Sequence, residues 1–101
     1  MPYLIDATDK PGNQVLRQAN RPAHLRFLEE HLRLLIAAGA KLSDDGTTSW
    51  GSIYIVDVED RPAAEAFIAK DPYSAIELFE RVTITRWRKG FFDFKRVPPA
   101  S

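Results

Sequence analysis

Gly51-Ser52-Ile53-Tyr54-Ile55-Val56-Asp57-Val58 (residues 51–58) is the run on which the fold turns. β-Branched and aromatic residues crowd it, and such side chains suit a pleated, buried strand. Its near-continuous apolarity predicts a strand covered on both faces. Before it, Asp44-Asp45-Gly46-Thr47-Thr48 reads as a turn, with Ala40–Ser43 as a weaker strand leading in. After it, Asp60 can cap a helix whose first turn holds Pro62, where a missing N–H costs little. That helix should carry Ala63, Ala64, Ala66, Phe67 and Ile68. Asp71-Pro72 interrupts it, because proline removes a donor and crowds the preceding turn. A short helix over Ser74–Phe79 and an alternating strand over Val82–Arg88 should follow.

The N-terminal half supplies the remaining elements. Tyr3–Thr8 reads as a first strand and Asp9–Asn13 as a turn cluster. A helical stretch then runs to Ala38. Pro22 disfavours helical geometry at Arg21, so the main helix is expected to begin near Pro22, with Val15–Ala19 as a separate turn. Leu25, Leu28, Leu32 and Leu35 recur at helical spacing as an apolar stripe, with His24 and His31 at its edge. Gly39 is placed to cap the end.

The resulting order is β-α-β-β-α-β, the ferredoxin-like α+β plan with a four-stranded antiparallel sheet. A single domain over residues 1–101 is expected, with a core from about residue 3 to residue 90. The helices cover one sheet face. The other is left with apolar side chains, and large exposed apolar patches mark interfaces. A second copy packed sheet to sheet is the simplest cover. Phe91, Phe92 and Phe94 lie in a tail (residues 91–101, through Pro98-Pro99) that can follow the same seam.

Composition excludes several functions. Fourteen basic residues balance fourteen acidic ones, so the chain lacks the basic footprint of a nucleic-acid binder. Lys89-Gly90-Phe91-Phe92 only faintly resembles an RNA-binding motif, and it follows the last strand. There is no run of 18 apolar residues, so no membrane span is expected, and Met-Pro-Tyr-Leu-Ile-Asp, without a basic region or a small-residue cleavage site, is not expected to be a secretory signal. Cysteine is absent, which removes disulfides, thiolate metal sites and cysteine nucleophiles, and is compatible with the cytoplasm. There is no Gly-rich phosphate loop, HExxH or dinucleotide fingerprint, and no metal or organic cofactor is implied.

Two polar residues stand out as suited to proton transfer. His24, in Arg21-Pro22-Ala23-His24-Leu25, can take and give a proton near neutral pH. Asp71, in Asp71-Pro72-Tyr73, can accept from one ring nitrogen and fix the imidazole tautomer. Each has a plainer reading: His24 as a helix-edge histidine bonded to nearby backbone, Asp71 as the cap of the helix after it. His31 lies about 10 Å further along the helix axis, too far to share a metal ion with His24, and reads as structural. Arg21, Trp50, Ser52 and Tyr73 are candidate substrate-binding groups. Arg21 can hold a carboxylate or phenolate, and Tyr73 can donate to a substrate oxygen. Ser52 has neither an adjacent base nor a nucleophile elbow.

The segments Arg-Pro-Ala-His-Leu (21–25), Gly-Ser-Ile-Tyr-Ile-Val (51–56), Asp-Pro-Tyr (71–73) and Arg-Val-Thr-Ile-Thr-Arg-Trp (81–87) together resemble the YCII-related (YciI-like) family. The resemblance covers roughly residues 3–90. It implies a ferredoxin-like subunit of a dimeric α/β barrel, with the family's His–Asp pair falling on His24 and Asp71 in a cleft. A related member removes chloride from a hydroxylated ring, so the resemblance extends to lyase-like chemistry. The expected function is acid/base chemistry of lyase or isomerase type on a small molecule, in a cytoplasmic homodimer. The alternative is a non-catalytic small-molecule-binding or interaction subunit.

Overall fold

Alternation of buried side chains along the two central strands lets one sheet face receive the helices. In the computed structural model, which describes residues 1–98, β1 (Pro2–Asp9), β2 (Leu35–Leu42), β3 (Ser49–Asp57) and β4 (Phe79–Arg86) form an antiparallel sheet ordered β2-β3-β1-β4. α1 (Gln14–Glu30) connects β1 to β2; α2 (Arg61–Ala69) and the short α3 (Pro72–Ala75) connect β3 to β4. This is the ferredoxin-like α+β topology. Tyr3, Ile5 and Ala7 of β1 and Tyr54 and Val56 of β3 meet Phe27 of α1 and Ala64, Phe67 and Ile68 of α2 in the core. Each large apolar side chain so buried stabilises the fold by about 1.5–3 kcal/mol. Asp60 caps α2 as expected, accepting from the Ala63 N–H at 3.0 Å.

Several element boundaries differ from the sequence expectation. α1 runs unbroken from Gln14 through Pro22, so Val15–Ala19 is not a separate turn. Pro22 removes one helical donor, but Arg17 before it and His24 and Phe27 after it all bury on one face and hold both halves in line. The helix ends at Glu30, followed by a 3₁₀ turn (Leu32–Leu34), and Leu35–Leu42 is strand. Gly39 is therefore no cap: it pairs with Ile53 inside β2. Ladder bonds to β3 override the helical preference of the alanines around it. The leucine stripe fails for the same reason. Leu25 and Leu28 are half-buried, Leu32 is exposed, and Leu35 belongs to β2. The second short helix starts earlier than expected, because Asp71 caps it with Pro72 in its first turn. Glu77 then takes a left-handed conformation and returns the chain to β4.

β3 is covered on one face within the chain. Ser52, Tyr54 and Val56 are buried beneath the helices, whereas Ile53 and Ile55 are half-buried on the open face. That face is more polar than expected. Ladder pairing sets Leu4 beside Ile55 and Thr85, and Asp6 beside Ile53 and Thr83. The Lys41 ammonium crosses this face to bond Asp6 Oδ1 at 2.7 Å and Thr8 Oγ1 at 2.8 Å. After β4 the chain makes a hairpin, β5 (Phe91–Phe92) and β6 (Lys95–Arg96). Its turn residues Asp93 and Phe94 both have positive φ, as tight hairpin turns require. Phe91 and Phe94 are exposed. The end of the expected tail, residues 99–101, lies outside the described residues. No helix among the described residues is long and apolar enough to cross a membrane.

Gly51 is where Lys41 crosses β3. A Cβ there would run into the Ala7 carbonyl oxygen and Lys41 Cε, whereas one at Gly39 would meet nothing. Gly51→Ala is expected to destabilise the chain by about 1–3 kcal/mol through overpacking against backbone. Gly39→Ala should be neutral or slightly stabilising. Chemical denaturation of the two variants checks the contrast.

Candidate active site

The buried face of α1 is polar where the sequence suggested leucines. Arg17, His24 and Phe27 point inward, and His24 lies over the bend where α2 gives way to α3. That bend comes from Asp71-Pro72. Asp71 is extended, Pro72 follows it into the helix, and the Asp71 side chain accepts from the Tyr73 N–H at 2.9 Å. The cap leaves the carboxylate turned toward α1. His24 Nδ1 lies 3.0 Å from Asp71 Oδ1 and 2.9 Å from Oδ2, and the Tyr54 hydroxyl donates to Oδ2 at 2.5 Å. Asp71 thus caps α3 and at the same time lies within hydrogen-bond distance of His24. An ionised carboxylate is an acceptor only, so Nδ1 is the ring nitrogen that donates to it, and Nε2 has no hydrogen-bond partner among the described residues.

Next to this pair lies a second polar group. Arg17 Nε donates to Asp9 Oδ2 at 2.7 Å, and its Nη2 donates to Ser52 Oγ at 2.6 Å. Its guanidinium stands 4.7 Å from the centre of the Tyr73 ring. Tyr73 in turn stacks on the His24 imidazole, with centroids 4.0 Å apart and planes at 13°. Burial, then the neighbouring Asp71 charge, push the Tyr54 phenol far above the usual tyrosine range. Burial also raises the Tyr73 phenol, against the opposing charges of Arg17 and Arg21. Both phenols are therefore neutral donors across the physiological range.

The remaining sequence candidates are scattered around this centre. Ser52 is buried and bonded to Arg17. Tyr73 is fully buried, its hydroxyl has no hydrogen-bond partner among the described residues, and its ring is packed against the imidazole. Arg21 is exposed on α1, one turn before His24, and lines a recess of about 500 Å³ with Arg17 and Thr47–Ser49. Trp50 stands apart from the pair, its ring 4.2 Å from the Lys41 ammonium in a separate recess with Asp9 and Asn13. His31 donates from Nδ1 to the Phe27 carbonyl oxygen at 2.7 Å and packs on Phe27 and Phe67, the structural role its spacing suggested. Sequence reasoning passed over Tyr54, Arg17 and Asp9. The first was taken as strand filler, although it alternates with Ser52. Arg17 falls on the helix face of Arg21 and His24, at steps of four and three, which was the available signal.

The fold and this buried constellation define a class: ferredoxin-like α+β chains with a polar, imidazole-centred site between the helix layer and the sheet. The match to the YCII-related domain covers residues 1–88, and the chain belongs to that family. It is 35% identical to the proteins called YciI of Escherichia coli and Shigella flexneri, and 33% identical to an uncharacterized protein of Haemophilus influenzae. Each match covers 90% of this chain and the whole of the relative. Among solved structures it is similar to the 5-chloro-2-hydroxyhydroquinone dehydrochlorinase TftG of Burkholderia phenoliruptrix, in complex with 2,5-dihydroxybenzoquinone. The TM-score is 0.83 at 30% identity, covering 89% of this chain and 96% of that one.

Tyr54 couples the site to stability. Its folded-state pKa is raised, so its contribution is fully present below the ordinary value of 10.0 and is lost as pH rises above it. Tyr54→Phe should cost about 1–3 kcal/mol at neutral pH, because the buried Asp71 loses a donor. The variant should also show a shallower loss of stability above pH 10 than the parent, read from denaturation at stepped pH.

Proposed function

We propose that the chain is a small-molecule enzyme in which His24 acts as general acid/base and Asp71 orients it. The observation that carries this reading is the 2.9 Å approach of Asp71 Oδ2 to His24 Nδ1, which leaves Nε2 as the one unengaged base of the site. The likeness to a dehydrochlorinase supports an elimination or a related isomerisation on a hydroxylated ring or carbonyl compound. In such an elimination the imidazole removes a proton, the freed electron pair forms the new double bond, and the leaving group departs with the pair from its own bond. No oxidant or reductant is consumed. Arg21 is proposed to hold an oxygen of the substrate, Ser52 to act through Arg17, and Tyr73 to fix the imidazole plane. Trp50, in its separate recess, is given no part in this arrangement. The working form is a cytoplasmic homodimer of the α/β-barrel type, paired through the open sheet face, with the Phe91–Phe94 hairpin along its seam.

The test is turnover of halogenated and unhalogenated hydroxyquinols, 5-chloro-2-hydroxyhydroquinone included, followed by chloride release and ring absorbance. His24→Ala should keep the fold and lose turnover by about 100- to 10,000-fold, the usual worth of a positioned acid/base. Full activity in that variant would remove the reading. A second reading, a non-catalytic binding subunit, is favoured by the burial of His24, which is only 7% exposed. Ligand binding by the parent without turnover would select it.

Ile55 sits on the open face and contributes nothing to the helix-side core. Ile55→Asp should therefore leave the subunit folded and shift a dimer toward monomer in sedimentation velocity. An unchanged sedimentation coefficient would place the interface elsewhere.

A further inference from the structure

We infer that the recess between the first turns of α1 and the β2–β3 hairpin is an oxyanion-binding pocket, which seats the substrate as a singly charged planar carboxylate or phenolate beside His24. This rests on the reading of His24 above only in saying where the ligand's reacting end lies. The recess has a volume of about 500 Å³, within the range of small-molecule sites. Gln14, Arg17, Gln18 and Arg21 form one wall, and Ala40, Leu42, Thr47, Thr48 and Ser49 the other.

The charges decide what fits. No carboxylate lines the recess. Of its two cations, Arg17 is already paired with Asp9. Arg21 has no ion-pair partner among the described residues, so the recess presents one uncompensated positive charge. A cationic ligand is disfavoured there. A pyrophosphate or other multiply charged group would carry more charge than the wall can neutralise. Around Arg21 stand neutral donors, the amides of Gln14 and Gln18 and the hydroxyls of Thr48 and Ser49, suited to the uncharged oxygens of a hydroxylated compound. A guanidinium matches a planar, delocalised oxyanion with two parallel N–H bonds.

Two further observations favour this placement. The hairpin wall is held in advance: Asp45 Oδ1 accepts from Ser43 Oγ at 2.7 Å, Thr47 Oγ1 at 2.8 Å and the Thr47 N–H at 3.0 Å. Those bonds, the Ser43 hydroxyl first, hold the Asp45 carboxyl down to about 2, so the brace persists at all physiological pH values. Arg17 and Arg21 also both favour negative charge at the Tyr73 oxygen, whose ring stacks on His24. Both cations thus act at the Tyr73 oxygen, where the Asp71 and Asp9 carboxylates oppose them. Arg21 and His24 are three residues apart on one helix, with Cβ atoms about 5–6 Å apart. His24 is not itself among the lining residues; it lies about one helical turn beyond Arg21, and the ring of a ligand held on Arg21 is proposed to bridge that turn.

The experiment is binding of simple probes, read by NMR shift titration: benzoate as carboxylate, 4-nitrophenol above and below its own ionisation as phenolate and phenol, and benzamide as the neutral isostere. Benzoate and nitrophenolate should bind at least 10-fold tighter than benzamide and nitrophenol, with shifts centred on Arg21 and residues 47–49. Arg21→Gln should abolish that preference and Arg21→Lys should retain part of it. Binding of these probes is read without turnover, so failure of the acid/base reading leaves the results intact. If only one of the two anions shows the preference, that anion identifies the charged group. Equal binding of charged and neutral probes, an unaffected Arg21→Gln, or no response to either anion at about 10 mM would each overturn the inference.

Discussion

The Asp71 carboxylate is fully buried and takes hydrogen bonds from three separate elements: the His24 imidazole of α1, the Tyr54 hydroxyl of β3 and the Tyr73 N–H of α3. A buried charge is tolerated only when such partners replace its water, and removing one leaves a large desolvation cost. The helix layer and the sheet therefore cannot slide against each other without breaking those bonds. The same carboxylate meets the imidazole, so one group ties the packing of the layers to the orientation of the His24 ring.

A second buried pair, Arg17 with Asp9, stands beside the first, with the Tyr73 ring between the guanidinium and the imidazole. Buried ion pairs add little net stability compared with apolar packing of the same volume. Their presence on the inner face of α1, where leucines would stabilise more, is most simply accounted for by what they position. Arg17 holds Ser52 and supports Tyr73, and Tyr73 holds the ring plane of His24. The apolar core is displaced toward the other end of the helix layer, where Phe27, Phe67 and Tyr54 meet.

The main strand at residues 51–58, the cap at Asp60 and the break at Asp71-Pro72 were legible in sequence, because each rests on local chemistry: β-branched density, a side-chain acceptor before a helix, a missing N–H. The His24–Asp71 pairing was also anticipated, since few other residues in the chain suit proton transfer. What misled was competition between local and distant forces. The leucines and alanines of residues 32–40 favour helix on their own, yet their backbone gains ladder bonds to β3, and no property of those residues alone announces that gain. Pro22 was read as a helix start for the same reason, because the buried side chains that carry α1 through it act only once the sheet is in place.

Local chemistry along the chain was enough for the order of the main elements and the ferredoxin-like plan, and it singled out His24 and Asp71 as residues suited to proton transfer. Only the tertiary structure decided that Tyr54 shares that carboxylate, that Arg17 rather than a leucine faces the core, and that Tyr73 lies flat on the imidazole. The reason is physical. Helix and strand periodicity say which residues share a face, but the neighbour a buried polar group finds is set by packing between elements distant in the chain, where desolvation makes the choice of partner decisive.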